Sequence, residues 1–179
     1  EKVELNGHKY RDDEICVGMI FLPRNNYEAQ ESCRTIIESE LKKNGFNIYG
    51  WRQVPVNPSV LGEKAEITRP EICQVLFSPK IIKLSGKSLE IKLYETRKKI
   101  EKVARESQLK DFYICSFSSR SIVYKGMFLA EMLSEFYPDL NNKKLTSRFA
   151  VFHQRYSTNT FPSWDLAQPF RTLAYNGEI

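Results

Sequence analysis

The sequence of 179 residues contains only two histidines and four cysteines, and no two cysteines are spaced as Cys-x-x-Cys. Zinc and iron–sulfur sites need several such ligands close together, so the sequence argues against a metal centre built within this chain. Cys16, Cys73 and Cys115 have apolar neighbours in sequence, and Cys33 shares one face of a predicted helix with Ile36, Ile37 and Leu41. We therefore expect four buried thiols in a reducing compartment.

Long apolar runs, repeats and low-complexity linkers are also missing. No run approaches the roughly 20 residues that cross a bilayer, and the opening EKVELNGHKYRDDE is not a signal peptide. Both observations argue against membrane insertion. With 179 residues, of which 41% are hydrophobic, the chain is long enough for one core but short for two domains.

The net charge of +5 raises the hypothesis of nucleic-acid binding. Much of the basic excess lies in residues 92–105, where Leu89, Leu93, Ile100 and Val103 recur at near-helical spacing. This pattern predicts an amphipathic helix whose cations face solvent. Glutamates interrupt the positive run and no nucleic-acid motif accompanies it, so we do not favour that hypothesis.

The remaining pattern alternates between strands and helices. Strands are predicted at 15–22, 46–56, 71–78, 112–118, 122–124, 149–152 and 172–175, and helices at 27–43, 88–106 and 127–136. The segments 112–118 and 122–124 are predicted to form a hairpin around Ser119-Arg120. The pattern predicts the α+β fold class.

The segment 148–179 is the most informative part of the sequence. The apolar residues Phe149, Val151 and Phe152 precede His153, Arg155 and a cluster of hydroxyl and amide side chains, and a second strand delivers Asn176-Gly177. Polar groups at strand ends often form binding or catalytic sites. The joint order of these residues is therefore more informative than any one of them.

Each of these residues also has a purely structural interpretation. Asn176-Gly177 is a strong signal for a hairpin turn, and Arg155 is compatible with a surface ion pair. His153 fits a hydrogen-bonded structural imidazole, and we give it no catalytic role. The hydroxyl and amide side chains of 157–160 can bond the loop backbone.

The order HQRYSTNTFPSW at 153–164 with NGEI at 176–179 closely resembles the glutaminase domain of glutamate synthases, within the class II, or N-terminal nucleophile, glutamine amidotransferases. The run STNTFPSW is particular to the glutamate synthases. Further resemblance lies in VGMIFLP at 17–23, GWRQVPV at 50–56, SVLG at 59–62, FYICS at 112–116 and VYKGM at 123–127. The resemblance spans most of the chain. It implies an α-β-β-α sandwich of the N-terminal nucleophile hydrolase type, and we expect residues 1–179 to be part of one such domain.

The resemblance also implies roles for individual residues. Arg155 is expected to bind the α-carboxylate of glutamine, because a guanidinium matches a carboxylate with two charge-assisted hydrogen bonds. The Asn176 side chain and the Gly177 backbone N–H are expected to form the oxyanion hole, which stabilises negative charge on the attacked amide. Thr158 and Asn159 are weaker candidates for contacts with glutamine.

The nucleophile of the resembled family is missing. Those enzymes use a cysteine at the mature N-terminus, whose α-amino group is the base, whereas residue 1 here is Glu1. Cys16 followed by Val17-Gly18 superficially resembles the family's start, but this stretch better matches a later strand, where a thiol packs. We therefore expect a piece of a larger polypeptide, incomplete at both ends of the domain and inactive alone.

In the intact family, glutamine is hydrolysed to glutamate, and the ammonia is used for reductive amination of 2-oxoglutarate. The resemblance implies FMN and an iron–sulfur cluster in regions outside this chain, no cofactor within it, and the synthase domains as partners. It implies an intracellular protein but does not distinguish cytoplasm from plastid. It also does not select NADPH, NADH or ferredoxin as the electron donor. The alternatives are the glutaminase domain of another class II amidotransferase and a noncatalytic glutamine-binding module.

Overall fold

A computed structural model of the chain describes residues 15–81, 84–154 and 161–170. It divides into two compact units, one of residues 1–53 with 71–122 and one of residues 54–70 with 123–179. The described strands are β1 (Cys16–Leu22), β2 (Phe46–Gln53), β3 (Glu71–Pro79) and β4 (Tyr113–Ser118), and the described α-helices are α1 (Tyr27–Lys43), α2 (Glu63–Ile67), α3 (Gly86–Glu106) and α4 (Leu133–Phe136).

The first unit contains a four-stranded antiparallel sheet in the order β2-β3-β1-β4. Strand β1 runs between β3 and β4, and its pairing with β3 extends from Cys16 opposite Phe77 to Leu22 opposite Glu71. Since both neighbours of β1 are hydrogen-bonded strands, β1 lies in the interior of the sheet. This position explains its almost continuous apolar sequence, CVGMIFL.

Helices α1 and α3 cover one face of this sheet. The side chain of Asn26 caps α1 by accepting a hydrogen bond from the N–H of Ala29 at 2.9 Å. Gly45, with φ of 84°, follows the last turn in the left-handed conformation that glycine adopts most easily. The apolar stripes of the two helices meet the sheet in one core, which contains Cys16, Ile20, Leu22, Cys33, Ile37, Leu41, Phe46, Cys73, Val75, Phe77, Leu89, Leu93, Ile100, Ile114 and Phe117.

Gly18 in β1 permits close packing in this core. A Cβ atom at this position would lie 2.8 Å from both Phe117 Cδ2 and Val75 Cγ1. Phe117 also stacks on Phe77, with ring centroids 4.7 Å apart. The Phe117 ring and the Val75 side chain therefore occupy the space that a larger residue at position 18 would need.

The predicted strands at 15–22, 46–56, 71–78 and 112–118 and the helices at 27–43 and 88–106 are confirmed, with small changes at their ends. The described first unit, with a layer of helices on an antiparallel sheet, confirms the α+β class. The predicted strand at 172–175 lies outside the described residues.

Three predicted elements are wrong. Residues 122–124 form no strand, and the predicted helix at 127–136 is reduced to a 3₁₀ turn at Ala130–Met132 followed by α4. Leu129 has an extended backbone, which prevents an earlier start of the helix. Residues 149–152 are not extended into a strand, because a strand needs a hydrogen-bonded neighbour and no described strand pairs with them; Phe149 and Phe152 are 79% and 74% exposed.

The second unit is built around aromatic side chains rather than a described sheet. Phe136 and Tyr137 are fully buried, and their rings meet edge to face with centroids 4.7 Å apart. Phe128, Tyr124 and Trp164 pack around this pair. Across the part of the chain that the structure describes, no helix has the length and apolar character needed to span a membrane.

Candidate functional site

The five residues to which the resemblance assigns site roles lie outside the described residues. They are Arg155, Thr158, Asn159, Asn176 and Gly177. Their assigned roles stay predictions. The structure does describe His153 and Gln154 on one side of the first group, and residues 161–170, which we call the connector because they join the two groups in sequence.

Trp164 anchors the connector to the aromatic cluster of the second unit. Its indole Nε1 donates a hydrogen bond to the carbonyl oxygen of Ala65 at 3.1 Å, which satisfies the one polar atom of a buried ring. Its ring lies 5.6 Å from that of Phe136 and 6.3 Å from that of Phe128. The tryptophan of the STNTFPSW run is therefore a packing anchor with a specific hydrogen bond.

A short turn follows this anchor. The Ser163 hydroxyl donates to Asp165 Oδ1 at 2.6 Å, and the N–H of Ala167 donates to the carbonyl oxygen of Ser163 at 3.1 Å. These bonds close residues 163–167 into one compact turn, with Ala167 buried and Asp165 exposed. The connector is thus ordered by local hydrogen bonds as well as by Trp164.

Lys125 contacts the connector at two points. Its ammonium donates a hydrogen bond to the carbonyl oxygen of Asp165 at 2.7 Å, and it lies 5.0 Å from the centre of the Phe170 ring. The Lys125 side chain is only 2% exposed. A buried ammonium is costly unless polar or aromatic partners replace its hydration, and both contacts serve that purpose.

The main chain next to Lys125 is fixed as well. The carbonyl oxygen of Lys125 accepts a hydrogen bond from the buried hydroxyl of Tyr137 at 2.8 Å. A Cβ atom on Gly126 would lie 2.6 Å from Trp164 Cζ3 and would also collide with the Phe128 ring. The run VYKGM did not predict the role of Lys125, because a single lysine is usually exposed and its burial has no sequence signal.

Cys16 is placed for packing, not for attack on a substrate. It lies in β1 and is fully buried. Burial, together with the nearby carboxylate of Glu90, raises the pKa of the Cys16 thiol to about 12. The nucleophilic thiolate is therefore strongly disfavoured at neutral pH, which contradicts the interpretation of Cys16 as the nucleophile.

The other cysteines have a similar environment. All four are buried thiols. Burial raises the pKa of Cys33 to about 11 and also raises that of Cys73, although Arg34 opposes both shifts. Within residues 15–81, 84–154 and 161–170, no group of three or more His, Cys, Asp or Glu side chains is arranged to hold a metal ion.

The sequence profile of the class-II glutamine amidotransferases matches residues 1–179, and the chain belongs to this family. The fold of the family is that of the N-terminal nucleophile hydrolases, to which the described helices and antiparallel sheet belong.

Among curated proteins, the chain is 54% identical to the glutamate synthase [NADPH] large chain of Azospirillum brasilense, over 100% of this chain and 12% of the relative. It is 47% identical to ferredoxin-dependent glutamate synthase 2 of a Synechocystis species, over 93% of this chain and 10% of the relative. It is 49% identical to ferredoxin-dependent glutamate synthase 1, chloroplastic/mitochondrial, of Arabidopsis thaliana, over 91% of this chain and 10% of the relative. The chain thus spans only about a tenth of the length of these relatives.

Proposed function

We propose that this chain is part of the glutaminase domain of a glutamate synthase. In the proposed reaction, the side-chain amide of glutamine is hydrolysed to give glutamate and ammonia, and the ammonia then serves the reductive amination of 2-oxoglutarate. The observation that carries this proposal is the 54% identity to a glutamate synthase over the whole chain. Residues 1–179 would then belong to one class II amidotransferase domain.

The proposed site uses the residues that the resemblance implies. Arg155 binds the α-carboxylate of glutamine through its planar pair of donors. The Asn176 side-chain amide and the Gly177 N–H stabilise the oxyanion that forms when the substrate amide is attacked. Thr158 and Asn159 make further contacts with glutamine.

The nucleophile must be supplied from outside these 179 residues. A class II amidotransferase needs an accessible N-terminal cysteine, whereas Cys16, Cys33, Cys73 and Cys115 are all buried. We therefore propose that a cysteine elsewhere in the full-length protein attacks the amide, and we expect the 179-residue chain alone to be inactive.

The redox half of the proposed reaction also belongs to other regions. FMN and an iron–sulfur cluster would be bound by the synthase domains of the same polypeptide, and no described residue is assigned to either group. The names of the relatives include both NADPH and ferredoxin, so they do not select the electron donor. Four buried thiols support an intracellular protein.

An isotope experiment on the full-length protein tests the proposal. Glutamine labelled with ¹⁵N at its side-chain amide is supplied with 2-oxoglutarate and a reductant, and the products are analysed by mass spectrometry. We expect ¹⁵N in the α-amino group of newly made glutamate and unlabelled glutamate from the hydrolysed glutamine. Omission of 2-oxoglutarate is the control for label arriving by another route.

Other outcomes would support the alternatives. Release of labelled ammonia without labelled glutamate would indicate a class II amidotransferase with a different acceptor. Calorimetric binding of glutamine without any hydrolysis would indicate a noncatalytic glutamine-binding module. Either result would contradict the proposed function.

A further inference from the structure

We propose that Lys125 is a positioning residue for the glutamine site, because its buried ammonium holds the connector between the two groups of site residues. This inference rests on the proposed function. It concerns a residue for which the resemblance implies no role, and it is carried by contacts within the second unit alone.

The two contacts of Lys125 lie between the two groups of site residues along the chain. Asp165, whose carbonyl oxygen accepts the Lys125 hydrogen bond, follows the segment that contains Arg155, Thr158 and Asn159. Phe170, whose ring faces the same ammonium, precedes the segment that contains Asn176 and Gly177. One side chain therefore contacts the connector at two points, six residues after Asn159 and six residues before Asn176.

The main chain that carries Lys125 is held in place by its neighbours. The Tyr137 hydroxyl fixes the Lys125 main chain at 2.8 Å, and Tyr137 is itself fully buried. Gly126 brings the main chain so close to Trp164 that no side chain fits between them. The ammonium is thus presented from a rigid position, which a positioning role requires.

The separation of the two groups of site residues matters for the proposed catalysis. In the proposed reaction, Arg155 acts on the substrate carboxylate and Asn176 on the oxyanion, so their separation must match one glutamine molecule. Misplacement of catalytic groups by about 1 Å can cost up to about 100-fold in rate. Loss of the Lys125 contacts with the connector is therefore expected to affect both glutamine binding and turnover.

The test is Lys125→Met in the full-length enzyme, because methionine keeps the length and removes the charge and the donor. We expect kcat/KM for glutamine to fall by about 10- to 100-fold per folded site, with contributions from both KM and kcat. Glutamate synthesis from externally supplied ammonia should remain unchanged. Lys125→Arg retains the charge and should recover part of the loss.

The matched control is Lys102→Met. Lys102 lies in α3, is well exposed, and pairs only loosely with Glu106 at 3.8 Å. Removal of this charge should leave the glutamine kinetics unchanged. Thermal unfolding of both variants gives the temperature below which kinetics are compared, so that lost activity is not confused with lost folded protein.

The outcomes separate the two proposals. If the unmodified enzyme does not hydrolyse glutamine, the proposed function fails. If it does, but folded Lys125→Met keeps both kcat and KM within twofold, only the positioning role fails. If Lys125→Met does not fold, Phe170→Leu decides: a rise in KM or a fall in kcat of at least threefold supports the role, and a smaller change overturns it.

Discussion

The carboxylate of Glu90 on α3 accepts two hydrogen bonds from Ser119, one from its N–H at 2.9 Å and one from its hydroxyl at 2.7 Å. The other carboxylate oxygen accepts a third hydrogen bond, from the Ser118 hydroxyl at 2.9 Å. Ser118 Oγ in turn accepts from the N–H groups of Arg120 and Ser121. Side chains therefore satisfy the backbone donors at the end of β4. In the predicted hairpin, a second strand would have accepted hydrogen bonds there instead.

Removal of this carboxylate should loosen the end of β4. Glu90→Ala deletes the acceptor of three hydrogen bonds at a partly buried site, and we expect a loss of about 1–3 kcal/mol in unfolding free energy. Denaturant unfolding measures the loss, and hydrogen exchange of the Ser119 amide should become faster. Glu95→Ala, on the exposed part of the same helix, is the matched control. Equal unfolding free energies for the two variants would contradict the importance of these bonds.

The buried thiols should make the chain less stable in alkali. In the unfolded chain a thiol titrates near pH 9.0, whereas in the folded chain the pKa of Cys16 is about 12 and that of Cys33 about 11. Below pH 9 the thiols stay protonated in both the folded and the unfolded state, and their contribution to stability is fully present. Above pH 9 the thiols of the unfolded state lose their protons first, so stability falls as pH rises towards the folded pKa values.

Cys16→Ala separates the contribution of one thiol. Between pH 9 and 10.5 the unfolding free energy of the unsubstituted chain should fall further than that of Cys16→Ala, by on the order of 1 kcal/mol. Urea unfolding at several pH values measures both slopes. Parallel slopes would show that Cys16 does not resist ionisation in the folded state. The native thiols should also react with a thiol reagent only after unfolding.

Gly18 should not tolerate a methyl group. The added Cβ of Gly18→Ala would meet Phe117 and Val75 at 2.8 Å within the core, and such overpacking typically costs about 1–3 kcal/mol. Gly62→Ser is the control, because no atom lies within 4 Å of a Cβ there and serine is favoured at the start of α2. Denaturant midpoints should fall for the first variant alone. No fall for Gly18→Ala would mean that the two side chains can move aside.

Local sequence patterns predicted the elements whose signals lie within or directly beside their own sequence. α1 carries its own cap at Asn26 and its own stop at Gly45, and β1 carries a continuous apolar run, so their bounds could be predicted from sequence. The loop that replaces the predicted hairpin after β4 could not be predicted, because Glu90 is distant in sequence and a side-chain acceptor has no periodicity. The burial of Lys125 was missed for the same reason, since its partners Asp165 and Phe170 are also distant in sequence. The site residues themselves came from resemblance and stay predictions.

Arg155→Ala in the full-length enzyme should chiefly raise the KM for glutamine. The guanidinium is proposed to bind the α-carboxylate, which is unchanged between the ground state and the transition state, so its loss removes binding common to both. Steady-state kinetics over a range of glutamine concentrations should show kcat reduced much less than kcat/KM. A variant with unchanged KM would return Arg155 to the role of a surface ion-pair partner.

Asn176→Ala should chiefly lower kcat and change the KM for glutamine less. Its side-chain amide is proposed to donate to the oxyanion, which exists only once the substrate amide has been attacked, so its loss should lower kcat by about 10²- to 10³-fold with a smaller change in KM. Both Arg155→Ala and Asn176→Ala should still make glutamate from 2-oxoglutarate when ammonia is supplied, provided that the synthase site accepts free ammonia, since the lesion precedes that step. If folded Asn176→Ala kept a near-normal kcat, Asn176-Gly177 would be interpreted as a hairpin turn and the oxyanion assignment would be wrong.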